Sequence, residues 1–164
     1  MRKFRIYLDT SILNFLFAED APEKKEITSQ FFESSIKVGF YQTFISRFVI
    51  DEIMNTTNEQ KRTDLLRIIS DYPIDFLNVD DSLNKIDELS EHYIFNQVVP
   101  ASKKFDALHV EASSVFEIDF LVSWNFKHLA NVNREAKFLS VNKSLNYNYP
   151  LRIVTPENLF NDEY

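Results

Sequence analysis

The sequence predicts an α/β fold: three layers, α/β/α, around a central, mostly parallel sheet of about five strands, with residues 1–164 as a single domain. Three observations predict it. Short apolar segments alternate with longer stretches whose apolar residues recur every three or four positions, the pattern of strand–helix–strand units. The first strand, Phe4-Arg5-Ile6-Tyr7-Leu8, is mostly apolar, as in a strand covered on both faces. A chain of 164 residues that is 45% apolar and 15% aromatic, with sixteen phenylalanines, has enough bulk for one core.

The elements follow in order. After the first strand, Asp9-Thr10-Ser11 offers Thr10 or Ser11 as the cap of a short helix through Phe17. Pro22 suits a first helical turn, and Ile27, Phe31, Phe32 and Ile36 make a stripe up to about Lys37. A second strand runs from Phe40 to Ile45. Ser46 then caps a helix carrying Val49, Ile50 and Ile53, with Glu52 on it. Asn58 to Ser70 is helical, Ile74 to Val79 alternates like a strand, and Asp80 to Gln97 returns to helical spacing. Ser102 caps a helix to about Phe116 that carries Asp106. Phe120 to Trp124 is the next strand and ends at Asn125. A helix from Arg134 to Leu145 and a last strand, Arg152-Ile153-Val154, complete the series.

Composition excludes several chemistries. The single glycine, Gly39, leaves no Gly-rich cradle for a dinucleotide or triphosphate and no nucleophile elbow. The absence of cysteine removes disulfides, thiolate nucleophiles and Cys-type zinc sites, and fits a reducing compartment. There is no export signal and no apolar window long enough to span a membrane, so a cytoplasmic protein without membrane attachment is expected. A net charge of −7 argues against a broad basic nucleic-acid clamp.

In open parallel sheets, sites lie outside the carboxyl ends of the strands, near a switch in strand order. Asp9 ends the first strand, Glu52 follows the second, Asp106 lies early on the helix leading into the fourth, and Asn125 ends that strand. Together they would form an all-oxygen pocket, suited to Mg²⁺ or Mn²⁺ and not to zinc or copper. Clustered carboxylates repel one another and need a cation to stay ionised together.

These residues resemble the PIN-domain family, of the kind that act as VapC-type toxins in toxin–antitoxin pairs. The resemblance covers nearly the whole chain. It is carried by Tyr7-Leu8-Asp9-Thr10-Ser11, by Ser46 through Glu52-Ile53, by Phe105-Asp106-Ala107-Leu108-His109, and by Leu121 through Asn125 to His128. It implies a metal-dependent endoribonuclease, with Asp9, Glu52 and Asp106 as the catalytic, metal-holding acids. The fourth position, often Asp in the family, is Asn125 here; an amide oxygen can ligate Mg²⁺ but brings no charge, which leaves one metal or two open. Thr10 or Ser11, and Ser123, are the expected supports of those ligands. The implied reaction is hydrolysis of an RNA phosphodiester by a metal-activated water, leaving 5′-phosphate and 3′-hydroxyl ends. The implied partners are RNA, an antitoxin protein and a second copy of the chain.

Each residue also has a plainer role. Asp9 with Thr10 and Ser11 can be a helix cap, Asp106 a first-turn acid that suits the helix dipole, and Asn125 a turn residue. Asp51 rivals Glu52, and Asp119 is a less suitable substitute for the fourth acid because it starts its strand. Lys103, Lys104 and His128 are candidates for phosphate contact, although paired lysines usually belong to a solvated face. Trp124 reads as packing, and His109 as a buried hydrogen-bonder. Beside the nuclease stands a catalytically weakened module of the same fold that holds RNA or protein. A phosphatase of the haloacid-dehalogenase type would need an acid where Ser11 stands.

Overall fold

The central strand β1 (Arg5–Leu8) is paired on both sides, with β2 (Gln42–Ile45) and with β4 (Phe120–Val122), and both pairings are parallel. The structure is a computed structural model that describes residues 2–159. Beyond β2 lies β3 (Ile74–Phe76), and beyond β4 lies β5 (Arg152–Val154), so the order is β3-β2-β1-β4-β5 with every neighbour parallel. The burial follows this order. Ile6, Tyr7 and Leu8 of the central strand are wholly inaccessible, whereas Asp75 and Phe76 on edge strand β3 face solvent.

Seven α-helices flank the sheet among the described residues: α1 (Thr10–Phe15), α2 (Pro22–Phe31), α3 (Arg47–Met54), α4 (Glu59–Asp71), α5 (Leu83–Phe95), α6 (Lys104–Val115) and α7 (Val132–Ser144). The expected α/β sandwich is therefore the observed class, with an all-parallel sheet. Pro22 opens α2 as the sequence suggests, Ser46 caps α3 by accepting the Phe48 N–H at 3.2 Å, and Asn58 caps α4 by accepting the Lys61 N–H at 3.0 Å.

Several boundaries differ, each for a local reason. Asp9 caps α1, in place of Thr10 or Ser11: its carboxylate accepts the Ile12 N–H at 3.4 Å. Ser102 does not cap α6; Lys103 stands there without a side-chain cap. The stripe through Ile36 is real, but from Phe32 to Ile36 the helix widens to π geometry. Strand β4 stops before Trp124 because the Trp124 N–H turns to the Ser11 hydroxyl, 3.0 Å away, and leaves the ladder. No helix among the described residues is long and apolar enough to cross a membrane.

Helices α5, α6 and α7 end alike. Two residues past each helix stands a residue in the left-handed region: Gln97 at φ 55°, Glu117 at 53° and Asn146 at 66°. The next N–H reaches back to a carbonyl in the last turn: Val98 to Tyr93 at 2.9 Å, Ile118 to Ser113 at 3.0 Å, and Tyr147 to Asn142 at 2.8 Å. This closure usually employs glycine, the residue that adopts positive φ without cost. With only Gly39 in the chain, larger side chains fill the role.

Candidate active site

The chain winds outward from β1 in both directions, to β2 on one side and β4 on the other, so strand order reverses at β1 and β4. A crevice at the carboxyl ends of such strands is where parallel sheets place ligands. Asp9 leaves β1 at that point, and its N–H still bonds the Val122 carbonyl of β4 at 3.2 Å.

The Asp9 carboxylate is buried and held on both oxygens. Ser11 Oγ donates to Oδ1, and Ser123 Oγ donates to Oδ2. Both hydroxyls are tied in turn: Ser11 accepts the Trp124 N–H, and Ser123 accepts the Asn125 N–H at 2.9 Å. The loop after β4 is thus fastened to Asp9 through two serines. Burial pushes the Asp9 carboxyl up to about 6, and the Glu52 charge adds to this; the two serine hydroxyls oppose it.

Glu52, in the second turn of α3, is about a third exposed and accepts the His109 Nε2–H at 3.0 Å. Burial raises its pKa, but the hydrogen bond from His109, with the nearby Thr10 hydroxyl, outweighs this and holds it below the usual glutamate range. Asp106, in the first turn of α6, is half-buried. Burial raises its pKa and the Glu52 charge adds to it, against the positive charge of Lys103. Glu52 therefore acts electrostatically on both Asp9 and Asp106, as clustered carboxylates do.

Asn125 does not lie loose in this group. Its Nδ2 donates to Asp106 Oδ2 at 3.2 Å, and its Oδ1 accepts the His128 N–H at 3.1 Å. It supports Asp106 and closes a turn. His128 is mostly buried, its Nδ1 has no hydrogen-bond partner among the described residues, and burial lowers its pKa. Lys103 is exposed, and its charge reaches both Asp106 and His128. Lys104 lies elsewhere, along a cleft with Arg47, Asp51 and Asp87. Asp51, the rival of Glu52, is exposed and pairs loosely with Arg47 at 3.8 Å. Asp119 sits at the opposite end of β4, clamped by Arg2 at 2.9 Å, the Arg5 N–H at 2.8 Å and the Tyr149 hydroxyl at 2.6 Å.

The donor set fits a hard divalent cation: three carboxylates from three elements, no sulfur, and a neutral amide at the edge. Among the described residues, no three His, Asp or Glu side chains are already drawn into one coordination sphere. Three carboxylates would repel one another there unless a cation lay between them.

Sequence reasoning missed two features. His109 was legible only as a buried histidine, yet it links Tyr7 to Glu52. Lys24, a seemingly solvated lysine, holds its ammonium 5.4 Å from the Phe15 ring centre, 5.5 Å from Trp124 and 5.1 Å from Phe126. It borders a cleft of about 600 Å³ with Asn14, Phe15, Lys61 and Asp64, to which none of the three acids contributes. No family model matches the chain, and no curated protein matches it at a significant level.

Proposed function

We propose that the protein is a Mg²⁺- or Mn²⁺-dependent endoribonuclease that hydrolyses RNA phosphodiesters, in keeping with its resemblance to PIN domains. What supports the reading is that Asp9 and Asp106, at the carboxyl edge of a parallel sheet beside its switch in strand order, are both near enough to Glu52 to feel its charge. Asp9, Glu52 and Asp106 would hold the cation. When bound, it would polarise a phosphate and make water nucleophilic near neutral pH.

The chain's own residues prepare the pocket. Ser11 and Ser123 fix the Asp9 carboxylate from both sides, so its orientation is set before any ligand arrives. Asn125 aims one oxygen of Asp106, and His109 aims one oxygen of Glu52. Lys103 adds positive charge beside Asp106, where an approaching phosphate would need it. Hydrolysis by a metal-activated water needs no protein nucleophile. With a net charge of −7, RNA affinity rests on the cation and local lysines, and it is weak and salt-sensitive. A toxin role, silenced by an antitoxin that covers the pocket, and a homodimeric state belong to the same reading.

The test is RNA cleavage with Mg²⁺ by wild type and Asp9→Asn. Loss of cleavage in the variant is expected; equal cleavage by both overturns the assignment of Asp9. A second reading, a module of this fold that holds RNA or protein without cutting, is favoured by the amide at Asn125, whose oxygen is engaged by the His128 N–H. Mn²⁺ binding that depends on Asp9 and Asp106 counts against it.

A further inference from the structure

A carboxylate on a helix surface ordinarily samples several rotamers, and fixing one costs conformational entropy. Glu52 is not free in this way. From Oε1, hydrogen bonds run inward through three buried side chains: His109 Nε2 at 3.0 Å, then His109 Nδ1 to the Tyr7 hydroxyl at 2.9 Å, then Tyr7 to Ser46 Oγ at 2.7 Å. His109, Tyr7 and Ser46 are essentially inaccessible to solvent. Ser46 also caps α3, the helix that carries Glu52. The path leaves α3 at Glu52, crosses α6 and β1, and returns to the N-terminal cap of α3 at Ser46.

Counting hydrogens sets the direction of this path. A carboxylate oxygen only accepts, so His109 Nε2 carries a hydrogen. Ser46 Oγ accepts the Phe48 N–H, and its only other partner among the described residues is Tyr7. If Tyr7 donated to Ser46, the serine hydrogen would be buried without an acceptor. Ser46 therefore donates to Tyr7, Tyr7 donates to His109 Nδ1, and His109 Nε2 donates to Glu52. Each hydroxyl gives one hydrogen, and no polar atom on the path is left unmatched.

We infer that His109 is a positioning residue: Ser46 and Tyr7 lock its ring as the Nε2–H tautomer, and the locked ring holds the Glu52 carboxylate toward the pocket it shares with Asp9 and Asp106. The consequence for cation binding rests on the proposed metal site; the locked tautomer does not. Removing a residue that orients a metal ligand typically weakens binding by about 10- to 100-fold.

The experiment has two arms, both on the full-length protein, with folding checked by circular dichroism. In metal-free protein, ¹⁵N imidazole spectra of His109 should show a protonated Nε2 and an accepting Nδ1, and Tyr7→Phe should weaken the hydrogen-bond signature at Nδ1. A protonated Nδ1 with a bare Nε2 in the wild type overturns the inference. In the second arm, calorimetry with Mn²⁺ compares wild type, His109→Leu and His109→Gln, whose amide nitrogen can still donate to Glu52. His109→Leu should bind about 10- to 100-fold more weakly, and His109→Gln should recover most of the loss. Equal binding by wild type and His109→Leu overturns the positioning role. A wild type that binds no Mn²⁺ while showing the predicted tautomer overturns the metal reading of the site, and the cation part of this inference with it.

Discussion

Asn125 donates its side-chain N–H to Asp106 Oδ2 at 3.2 Å while its own oxygen accepts the His128 N–H at 3.1 Å. The amide thus gives the pocket a hydrogen where a carboxylate would give a charge. Asn125→Asp replaces this donor with a second anion beside Asp106. Mn²⁺ binding should tighten by roughly tenfold, about 1.4 kcal/mol, because the added carboxylate attracts the cation. The metal-free variant should melt below the wild type, because it has lost a hydrogen bond and gained a repulsion. Calorimetry and thermal melts in EDTA read the two effects separately.

Glu111 provides a pH test away from the pocket. It lies on α6 with both carboxyl oxygens buried and, by strict geometry, unpartnered among the described residues; burial pushes its pKa up to about 8, with the nearby Ser90 hydroxyl opposing and the Asp87 charge adding to this. The folded state holds a proton that the unfolded chain releases near pH 4.5, so stability falls as pH rises from there through about 8. Glu111→Met removes the titration and retains volume. Its melting temperature should exceed the wild type's by on the order of 5 °C at pH 9, with a much smaller difference at pH 5. Parallel melts across that range check it.

Asp119 separates structural from functional acids. Burial raises its pKa, but the Arg2 hydrogen bonds, the Arg5 N–H and the Tyr149 hydroxyl outweigh this and bring it to about 2. Its contribution is therefore present above the ordinary aspartate range and is lost as pH falls toward 2. Asp119→Ala should cost about 2 kcal/mol, since it leaves the Arg5 N–H without its side-chain acceptor. RNA cleavage and Mn²⁺ affinity should not change. Urea unfolding with a cleavage assay distinguishes this outcome from a role in the pocket.

Trp124, the only tryptophan, reports on Lys24. Its indole N–H donates to Thr28 Oγ1 at 2.9 Å, and its ring packs near Phe15 and Phe126. Lys24→Ala removes the cation from beside all three rings. Stability should fall by about 1 kcal/mol, and Trp124 emission should change in intensity. Unchanged emission would mean that the ammonium does not rest there in solution.

The sheet was legible because a strand buried on both faces must be apolar at every position, and Ile6, Tyr7 and Leu8 are. The positions of Asp9 and Asn125 were legible because each sits where an apolar run stops. His109 was not, since its partners Tyr7 and Glu52 are 102 and 57 residues away in sequence. Tyr7 itself looked like plain core, because nothing local reveals where its hydroxyl points. Glu111 was hidden for the opposite reason: an acid on a helix ordinarily means solvent. The end of β4 was overrun because Trp124 favours a strand, while its N–H is taken by a serine from another element.

The left-handed residues that close α5, α6 and α7 bear on how this protein can be engineered. Gln97, Glu117 and Asn146 each hold a conformation that costs a side-chain-bearing residue about 1 kcal/mol. None belongs to the pocket. A glycine-poor chain has thus left slack at three separate helix ends, and relieving it would provide a margin of stability against which disruptive changes at Asp9, Glu52 or Asp106 could be made and still yield a folded protein.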